Sequence, residues 1–253
     1  MRERPALPWA FVPAATATGH VLSLHRHPVK SLAGEQVDAL RRDRRGAGGD
    51  RTHALIWAGT NKRLTARQAP RMLAWRARYD VPGADLDPAD PPLPVLTAPD
   101  GAVHAWDDPG LPAVLEADLG WPVVLRRDLS GQQDLGDSLL VTVRSSLEAL
   151  GAALDIPPDL RRFRPNIHVE LDSAAFAEEG WEGRRLRVGD VTLKLLHPCE
   201  RCVIPTRDPD TQERDSRVLM WLIREHRELF GINAEVPEPG VIRAGDAVAL
   251  LPR

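Results

Sequence analysis

The chain has 253 residues, of which 27% are charged and 43% hydrophobic, a balance typical of a globular protein and not of a disordered one. Its formal net charge of −3 gives no reason to expect a nucleic-acid-binding surface. Two cysteines in a chain of this length argue against a disulfide-built secreted fold and indicate a reducing compartment.

The N-terminal segment, residues 1–21, begins with basic residues and continues with a short apolar stretch that prolines interrupt. This stretch is too short to span a bilayer and is a poor hydrophobic region for a signal peptide. We therefore expect a cytoplasmic protein with no membrane anchor.

The first half of the chain has the alternating pattern of β-strands. It predicts strands at 19–29 and 36–40 and a hairpin over 52–66. The segment 81–101 is crowded with Pro, Asp and Gly, which predicts a loop. A short helix is expected next, over 111–120, with Gly120 as its last residue.

The second half opens with a predicted strand at 138–143. Ser145 to Glu148 form a capping-box pattern, which predicts the start of a helix that ends before Pro157. Residues 163–171 alternate and predict another strand.

Two similar stretches, 187–196 and 243–251, each have Gly-Asp followed by alternating apolar residues, and both are predicted to be hairpins. A helix is expected over 218–229, ending at Gly231. Many short strands and few helices predict a mainly β (α+β) fold with barrel-like cores. We divide the chain into an N-terminal β-barrel domain, 18–118, and a second domain, 119–253.

The stretch HPCERCVIPTRDPDTQERDSR (197–217) holds both cysteines, Cys199 and Cys202. A structural zinc site needs four ligands, and this stretch supplies three with His197. A thioredoxin-type dithiol switch needs its C-x-x-C between a strand and a helix, which Pro205 and the following DPDT turn oppose. Two incidental thiols, or one thiolate offered to a soft metal centre, are the remaining interpretations.

His168-Val169-Glu170 and the later P-C-x-x-C together match the signature of zinc-dependent nucleobase deaminases. In that class both halves of the motif begin helices. Here His168 lies in a predicted strand, and Pro205 stops a helix after the cysteines. The deaminase is therefore the least favoured function, and we expect His168 and Glu170 to be exposed positions of a half-buried strand.

Five stretches occur in one order along most of the chain, namely HPVKS (27–31), GDR (49–51), LTARQAPR (64–71), FRPNI (163–167) and RCVIPTRDPDT (201–211). Together they resemble the MOSC superfamily, the domain also found at the C-terminus of molybdenum cofactor sulfurases. They are most similar to its two-part members with an N-terminal β-barrel domain, such as the mitochondrial amidoxime-reducing component and bacterial relatives.

The resemblance implies a molybdopterin-type molybdenum cofactor with Cys202 as the protein ligand to molybdenum and as the catalytic residue. It places the cofactor contacts on Lys30, Ser31, Arg67, Gln68, Arg164, Asn166 and Arg201, with Cys202 itself. These side chains suit the task, because a phosphate needs Lys or Arg with further donors, and a pterin ring needs amides that donate and accept.

The implied function is the reduction of small N-hydroxylated compounds, with electrons from a separate electron-transfer protein. The alternative is a module that carries the molybdenum cofactor or a sulfur atom. His27 departs from the family pattern, because an aromatic residue is expected there.

Five neighbouring features have simpler interpretations. Arg51 and Arg71 are expected to be solvated or paired with nearby acids. Asp208 and Asp210 are expected to shape the DPDT turn through Asx-type hydrogen bonds. The basic run at 41–51 is expected to be an exposed loop, with a docking patch for an electron donor as the alternative.

Overall fold

The computed structural model describes residues 16–43, 46–129 and 139–252. These ranges contain seventeen strands and three α-helices. The strands are β1 (Ala17–Arg26), β2 (Glu35–Val37), β3 (Ala39–Asp43), β4 (Gly46–Ala47), β5 (His53–Trp57), β6 (Lys62–Arg63), β7 (Arg76–Arg78), β8 (Val95–Thr97), β9 (Val103–Ala105), β10 (Val123–Arg127), β11 (Leu139–Val143), β12 (Ile167–Leu171), β13 (Arg185–Val188), β14 (Val191–Glu200), β15 (Leu229–Glu235), β16 (Gly240–Arg243) and β17 (Ala247–Leu250). The helices are α1 (Leu111–Leu119), α2 (Arg144–Leu154) and α3 (Arg217–His226).

Seven strands form a closed barrel in the order β12-β11-β15-β14-β13-β17-β1, and a pairing of β1 with β12 closes it. All neighbours are antiparallel except β11 and β12, which are parallel. Alternate strand residues point inward, and the barrel interior includes Val21, Val141, Val169, Leu193 and Ile232. The predicted mainly β fold with a barrel-like core is confirmed.

The barrel includes a strand from the start of the chain. β1 pairs with β12 over Gly19–Leu171 to Leu24–Ile167 and with β17 over Ala17–Leu250 to His20–Ala247. Conversely, β16, which lies near the end of the chain, pairs with β3 of the first half. The predicted division at residue 118 stays a prediction, but backbone hydrogen bonds cross it in both directions.

β2 pairs with β1 and β4 with β3, while the strands from β5 to β10 form two small sheets, β10-β5-β6 and β7-β8-β9. They enclose a separate hydrophobic core with Leu55, Met72, Trp75, Leu96 and Leu115. A third apolar cluster holds α2 and α3 together outside the barrel, centred on the stacked rings of Phe163 and Phe230.

The predicted hairpin at 52–66 is present as β5 and β6, and α1 ends at Gly120, whose φ of 74° is the left-handed cap that glycine favours. Two predictions for loops and hairpins were wrong. The stretch 81–101 contains a strand, β8, whose central Leu96 is buried. The stretch 243–251 is no hairpin, because β16 pairs with β3 while β17 pairs with β1 and β13.

The end of α2 before Pro157 is as predicted, whereas the start of α2 and the end of α3 differ from the prediction. α2 begins at Arg144 with no side-chain cap, because the Ser145 hydroxyl donates to the Ser173 carbonyl at 3.5 Å and the Glu148 carboxylate accepts from Arg144 at 2.7 Å, so the predicted capping box does not form. α3 ends at His226, and Arg227 takes the left-handed cap conformation. Gly231 lies in β15, where the chain has already returned to the barrel.

The basic run at 41–51 is not an exposed loop in its described part. Arg42 in β3 is fully buried, and its guanidinium donates to the Glu238 carbonyl at 2.6 Å. Arg51 and Asp50 are also buried.

The N-terminal segment on which the anchor prediction rests lies largely outside the described residues. Within the described ranges, no helix is both long enough and apolar enough to cross a membrane.

Candidate functional site

A cavity of about 390 Å³ opens where residues 201–207, which we call the cysteine loop, meet the turns that follow β1 and β6. It brings together seven of the eight predicted site residues, which come from four separate stretches of sequence: Lys30, Ser31, Arg67, Arg164, Asn166, Arg201 and Cys202. We call it the thiol cavity. Cys199 and Arg51 also line it.

Gln68 is the predicted residue that does not line the thiol cavity. Its side-chain carbonyl accepts hydrogen bonds from the backbone N–H and the hydroxyl of Thr65. The amide therefore closes the short turn that begins at Thr65, and Arg67 of the same turn reaches the cavity instead.

Three non-glycine residues of the cavity wall have left-handed backbones: Ser31 (φ 72°), Arg51 (φ 50°) and Arg164 (φ 54°). This conformation costs roughly 1–2 kcal/mol for a residue with a side chain. Arg51 donates to the Arg164 carbonyl at 3.2 Å, and Arg164 donates to the Leu32 carbonyl at 2.6 Å. Strained residues that hold one another in place are a common feature of functional sites.

Asp50 anchors this part of the wall. Its carboxylate is fully buried and accepts from the His27 backbone N–H at 2.7 Å, while its other oxygen pairs with the Arg51 guanidinium. The expected acid partner of Arg51 is therefore present. Arg71 is paired as well, with Asp118 at 2.6 Å.

Arg201 is held between a thiol and an aromatic ring. Its guanidinium donates to the Cys199 sulfur at 3.1 Å and to the Phe163 carbonyl at 2.8 Å, and it lies 5.5 Å from the centre of the Phe163 ring. Its Nε is buried, with no hydrogen-bond partner among the described residues. A half-buried guanidinium with one buried N–H unpaired favours an acceptor in the cavity.

The cysteine loop has the shape that Pro205 predicts. β14 ends at Glu200, Cys202 follows it, and the chain then makes a single 3-10 turn at Ile204–Thr206 rather than an α-helix. Among the described residues, Cys202 has no hydrogen-bonding partner for its sulfur, whereas the Cys199 sulfur accepts from Arg201.

The DPDT turn after this loop is closed by Asp208, whose carboxylate accepts from the backbone N–H groups of Asp210 at 3.0 Å and Thr211 at 2.9 Å. The expected Asx-type role of Asp208 is confirmed. These hydrogen bonds, that of Thr211 first, lower the pKa of the Asp208 carboxyl. Arg162 braces the turn by donating to the Arg207 carbonyl at 2.8 Å and to Asp208 at 3.1 Å.

Asn166 is fully buried at the cavity wall and also ties strands together. Its carbonyl oxygen accepts from the Leu140 N–H at 3.1 Å, and its amino group donates to the His25 carbonyl at 3.3 Å. One N–H and one lone pair of the amide remain for another partner. Asn233 of β15 also lines the cavity. The sequence analysis missed it, because nothing distinguishes it within an ordinary strand pattern.

His168 lies in a strand, β12, as predicted, but it is buried and not exposed. Its Nδ1 is 2.9 Å from the Thr142 hydroxyl, and burial lowers the pKa of its imidazole to about 4. Neither His168 nor Glu170 lines the thiol cavity. Over residues 16–43, 46–129 and 139–252, no three His, Cys, Asp or Glu side chains form a potential metal site.

Positive charge dominates the thiol cavity. Six cationic side chains line it against one carboxylate, that of Glu200; the cations are Lys30, Arg51, Arg63, Arg67, Arg164 and Arg201. Such a wall suits a ligand with several negative charges, such as a phosphate ester. A molybdopterin-type cofactor requires three kinds of side chain: a thiol to ligate the soft metal, cations to bind the phosphate and an amide to hydrogen-bond the heterocycle. The thiol cavity has all three.

Two family models match the chain. The MOSC domain matches residues 129–249, and the MOSC N-terminal beta barrel domain matches residues 18–101. The human protein named mitochondrial amidoxime-reducing component 1 is 26% identical over 92% of this chain and 83% of its own length. The mouse protein of the same name is 33% identical, over 44% of this chain and 36% of its own length.

Among solved structures, the YUAD protein from Bacillus subtilis has the same fold, with a TM-score of 0.51 over 93% of this chain and 97% of that chain. The two sequences are 14% identical, so this likeness concerns the fold alone.

Proposed function

Because the chain belongs to the MOSC-domain family and has the family's N-terminal β-barrel domain, we propose that it is a molybdenum-cofactor-dependent reductase of N-hydroxylated compounds. The observation that carries this proposal is the thiol cavity, in which Cys202 lies among six cations and a buried amide. The name of the human relative, an amidoxime-reducing component, supports the reaction class.

In this proposal Cys202 is the single protein ligand to molybdenum. Its sulfur has no competing partner among the described residues, while the Cys199 sulfur accepts from Arg201. A lone thiolate is sufficient because the dithiolene sulfurs belong to the cofactor. The bound cofactor supplies the two-electron reduction of an N–OH group to N–H, with two protons taken up and water released.

The protein's own residues hold and orient the cofactor. Lys30, Arg67, Arg164 and Arg201, with the Ser31 hydroxyl, are the proposed phosphate contacts, and Asn166 is the proposed partner of the pterin ring. The left-handed turns at Ser31 and Arg164 fix these side chains before the ligand arrives, which lowers the entropy lost on binding.

The electron donor is proposed to be a separate protein. Both cysteines of the 253 residues line the thiol cavity, so these residues hold no set of four thiolates for an iron–sulfur cluster.

Metal analysis of protein purified from a host that makes the cofactor tests the ligand assignment. We expect molybdenum near one per chain in the wild type, its loss in Cys202→Ala, and its retention in the matched control Cys199→Ser. Loss of molybdenum in both variants would point to a two-thiol site, and stoichiometric zinc without molybdenum would contradict the proposal.

Turnover separates a reductase from a module that carries the cofactor. We expect the molybdenum-loaded protein to reduce benzamidoxime to benzamidine with a chemical electron donor, and the Cys202→Ala variant to have no activity above background. Full molybdenum loading without turnover would favour the carrier.

A further inference from the structure

A second and larger cavity, of about 590 Å³, adjoins the thiol cavity. Leu73, Arg164 and Ile204 line both spaces. A volume in this range accommodates an ordinary small molecule. The adjoining cavity is not part of the predicted cofactor site, because of the predicted residues it contains only Arg164.

Much of the wall of the adjoining cavity is apolar or uncharged. Leu73, Pro99 and Leu160 contribute aliphatic surface, and two histidines, His25 and His27, lie among them. Burial lowers the pKa of His25 to about 4 and the pKa of His27 well below its ordinary value, with Arg164 and Arg51 adding to the effect at His27. Both imidazoles are therefore neutral at physiological pH, and the wall suits an apolar or aromatic body.

The two carboxylates of the adjoining cavity are already neutralised. Glu35 pairs with the buried guanidinium of Arg26, whose Nε donates to the carboxylate at 2.8 Å and whose Nη2 lies 2.8 Å from the same oxygen. Asp210 receives a two-pronged contact from Arg161, at 2.8 and 2.7 Å, and this contact lowers the pKa of the Asp210 carboxyl. Neither acid offers its charge to a cationic ligand.

Two arginines of the same wall lack such a partner. Among the described residues, no carboxylate lies within ion-pair distance of Arg76 or Arg207; the guanidinium of Arg207 donates only to the Gln212 carbonyl at 3.1 Å. Arg76 comes from β7 and Arg207 from the cysteine loop. The positive charge of Arg76 is the smallest of the causes that lower the pKa of Asp210, and both side chains line the adjoining cavity without forming an ion pair.

We propose that the adjoining cavity binds the body of the substrate and selects N-hydroxylated compounds that carry a carboxylate on an apolar or aromatic frame. The carboxylate contacts Arg76 and Arg207, and the N–OH group lies at the wall shared with the thiol cavity. This inference rests on the proposed reductase function. In the reaction, the amidoxime R–C(NH2)=N–OH takes up two electrons and two protons to give the amidine R–C(NH2)=NH and water, and the carboxylate is unchanged.

The test compares benzamidoxime with 4-carboxybenzamidoxime, which differ by the anionic group alone. Each compound is titrated by calorimetry into molybdenum-loaded protein without an electron donor, and kcat and KM are then measured with a donor. We expect the carboxylated compound to bind about fivefold more tightly, with a lower KM and a similar kcat, since partly exposed ion pairs contribute modestly. Raising the salt concentration should reduce the difference.

Arg76→Gln and Arg207→Gln should each remove most of this preference, by raising the KM of the carboxylated compound severalfold more than that of benzamidoxime. Arg78→Gln is the matched control, because Arg78 lies on the same strand, pairs with Asp80 and does not line the cavity. Equal binding of the two compounds, or an equal effect of Arg76→Gln and Arg78→Gln, would overturn the inference and leave the reductase proposal intact. Absence of turnover with both compounds, despite carboxylate-dependent binding, would instead contradict the reductase.

Discussion

Glu178 is a carboxyl buried beside α2, away from both cavities. It is 1% exposed, and its one hydrogen bond from another side chain is donated by the Ser146 hydroxyl at 2.8 Å. That hydroxyl in turn accepts from the Phe176 N–H at 2.8 Å. Burial raises the pKa of Glu178 to about 7, against the smaller opposing effects of its own backbone and Ser146. The folded protein therefore retains a proton on this carboxyl that the unfolded chain has lost.

The pH dependence of stability follows from this shift. Between pH 4.5, the ordinary value, and about 7, the folded state binds more protons than the unfolded state, so the free energy of unfolding falls as the pH rises. The protonated Glu178 contributes about 3 kcal/mol to the free energy of unfolding below pH 4.5, and this contribution is lost as the pH rises above 7. Glu178→Gln removes the titration. We measure the free energy of unfolding in urea from pH 4 to 8. The stability of the variant relative to the wild type should increase with pH up to about pH 7. The same pH dependence in both proteins would contradict this.

At the residue level the sequence motifs located much of the candidate site, because they mark short turns with specific side chains. The motifs also include Gln68, which does not line the thiol cavity and whose side-chain carbonyl accepts from Thr65. They also had no means of finding Asn233, which reaches the thiol cavity only because β15 pairs with β14 in the barrel.

Gly231 shows how an element boundary was misread from sequence. A glycine after an amphipathic stretch commonly ends a helix, but α3 already ends at His226, where Arg227 and Glu228 adopt left-handed conformations themselves. Gly231 is instead a strand residue with a φ of 74°. A side chain there would place its Cβ 2.8 Å from the Val141 carbonyl of the neighbouring strand β11. The glycine permits the close approach of β15 to β11.

Gly231→Ala is therefore expected to be strongly destabilising, by about 3 kcal/mol, as the sum of the left-handed backbone and the displaced strand. Gly120→Ala is the matched control, because Gly120 has the same φ of 74° and nothing within 4 Å of the added Cβ. It should lose only about 1 kcal/mol. Chemical denaturation of both variants measures the difference, and equal losses would show that the strand can move away without cost.

On the scale of the whole molecule, the two halves of the chain share strands. β1, from the first half, closes the barrel that the later strands form. β16, from the second half, pairs with β3 of the first half. Without β1, the strands β12 and β17 would each present an unpaired edge. The second half is therefore not expected to fold alone, although a family model matches residues 129–249 as a domain.

A fragment of residues 119–253 should consequently show no cooperative unfolding transition and weak near-ultraviolet circular dichroism. Fusing residues 16–28 to that fragment through a flexible linker should restore part of the transition, because the linked strand can pair with both edges. The same fusion with Gly19→Val is the control, since a Cβ at Gly19 would lie 1.8 Å from the Glu170 carbonyl. A cooperative transition in the unfused fragment would show that β1 is dispensable.

Local patterns in the sequence were sufficient to locate β1, β5, β11 and β12, the end of α1 at Gly120, and the loop shape that Pro205 imposes after the cysteines. The strands follow from the alternation of neighbouring residues, and the helix end and the loop shape follow from the backbone preference of a single residue. Both of these signals act over only a few positions in the sequence. Only the tertiary structure decided which strands pair, as between Gly19 and Leu171, and which side chains meet in the two cavities. The physical reason is that alternation determines which face of a strand is buried, whereas its partner is chosen by packing across more than a hundred residues.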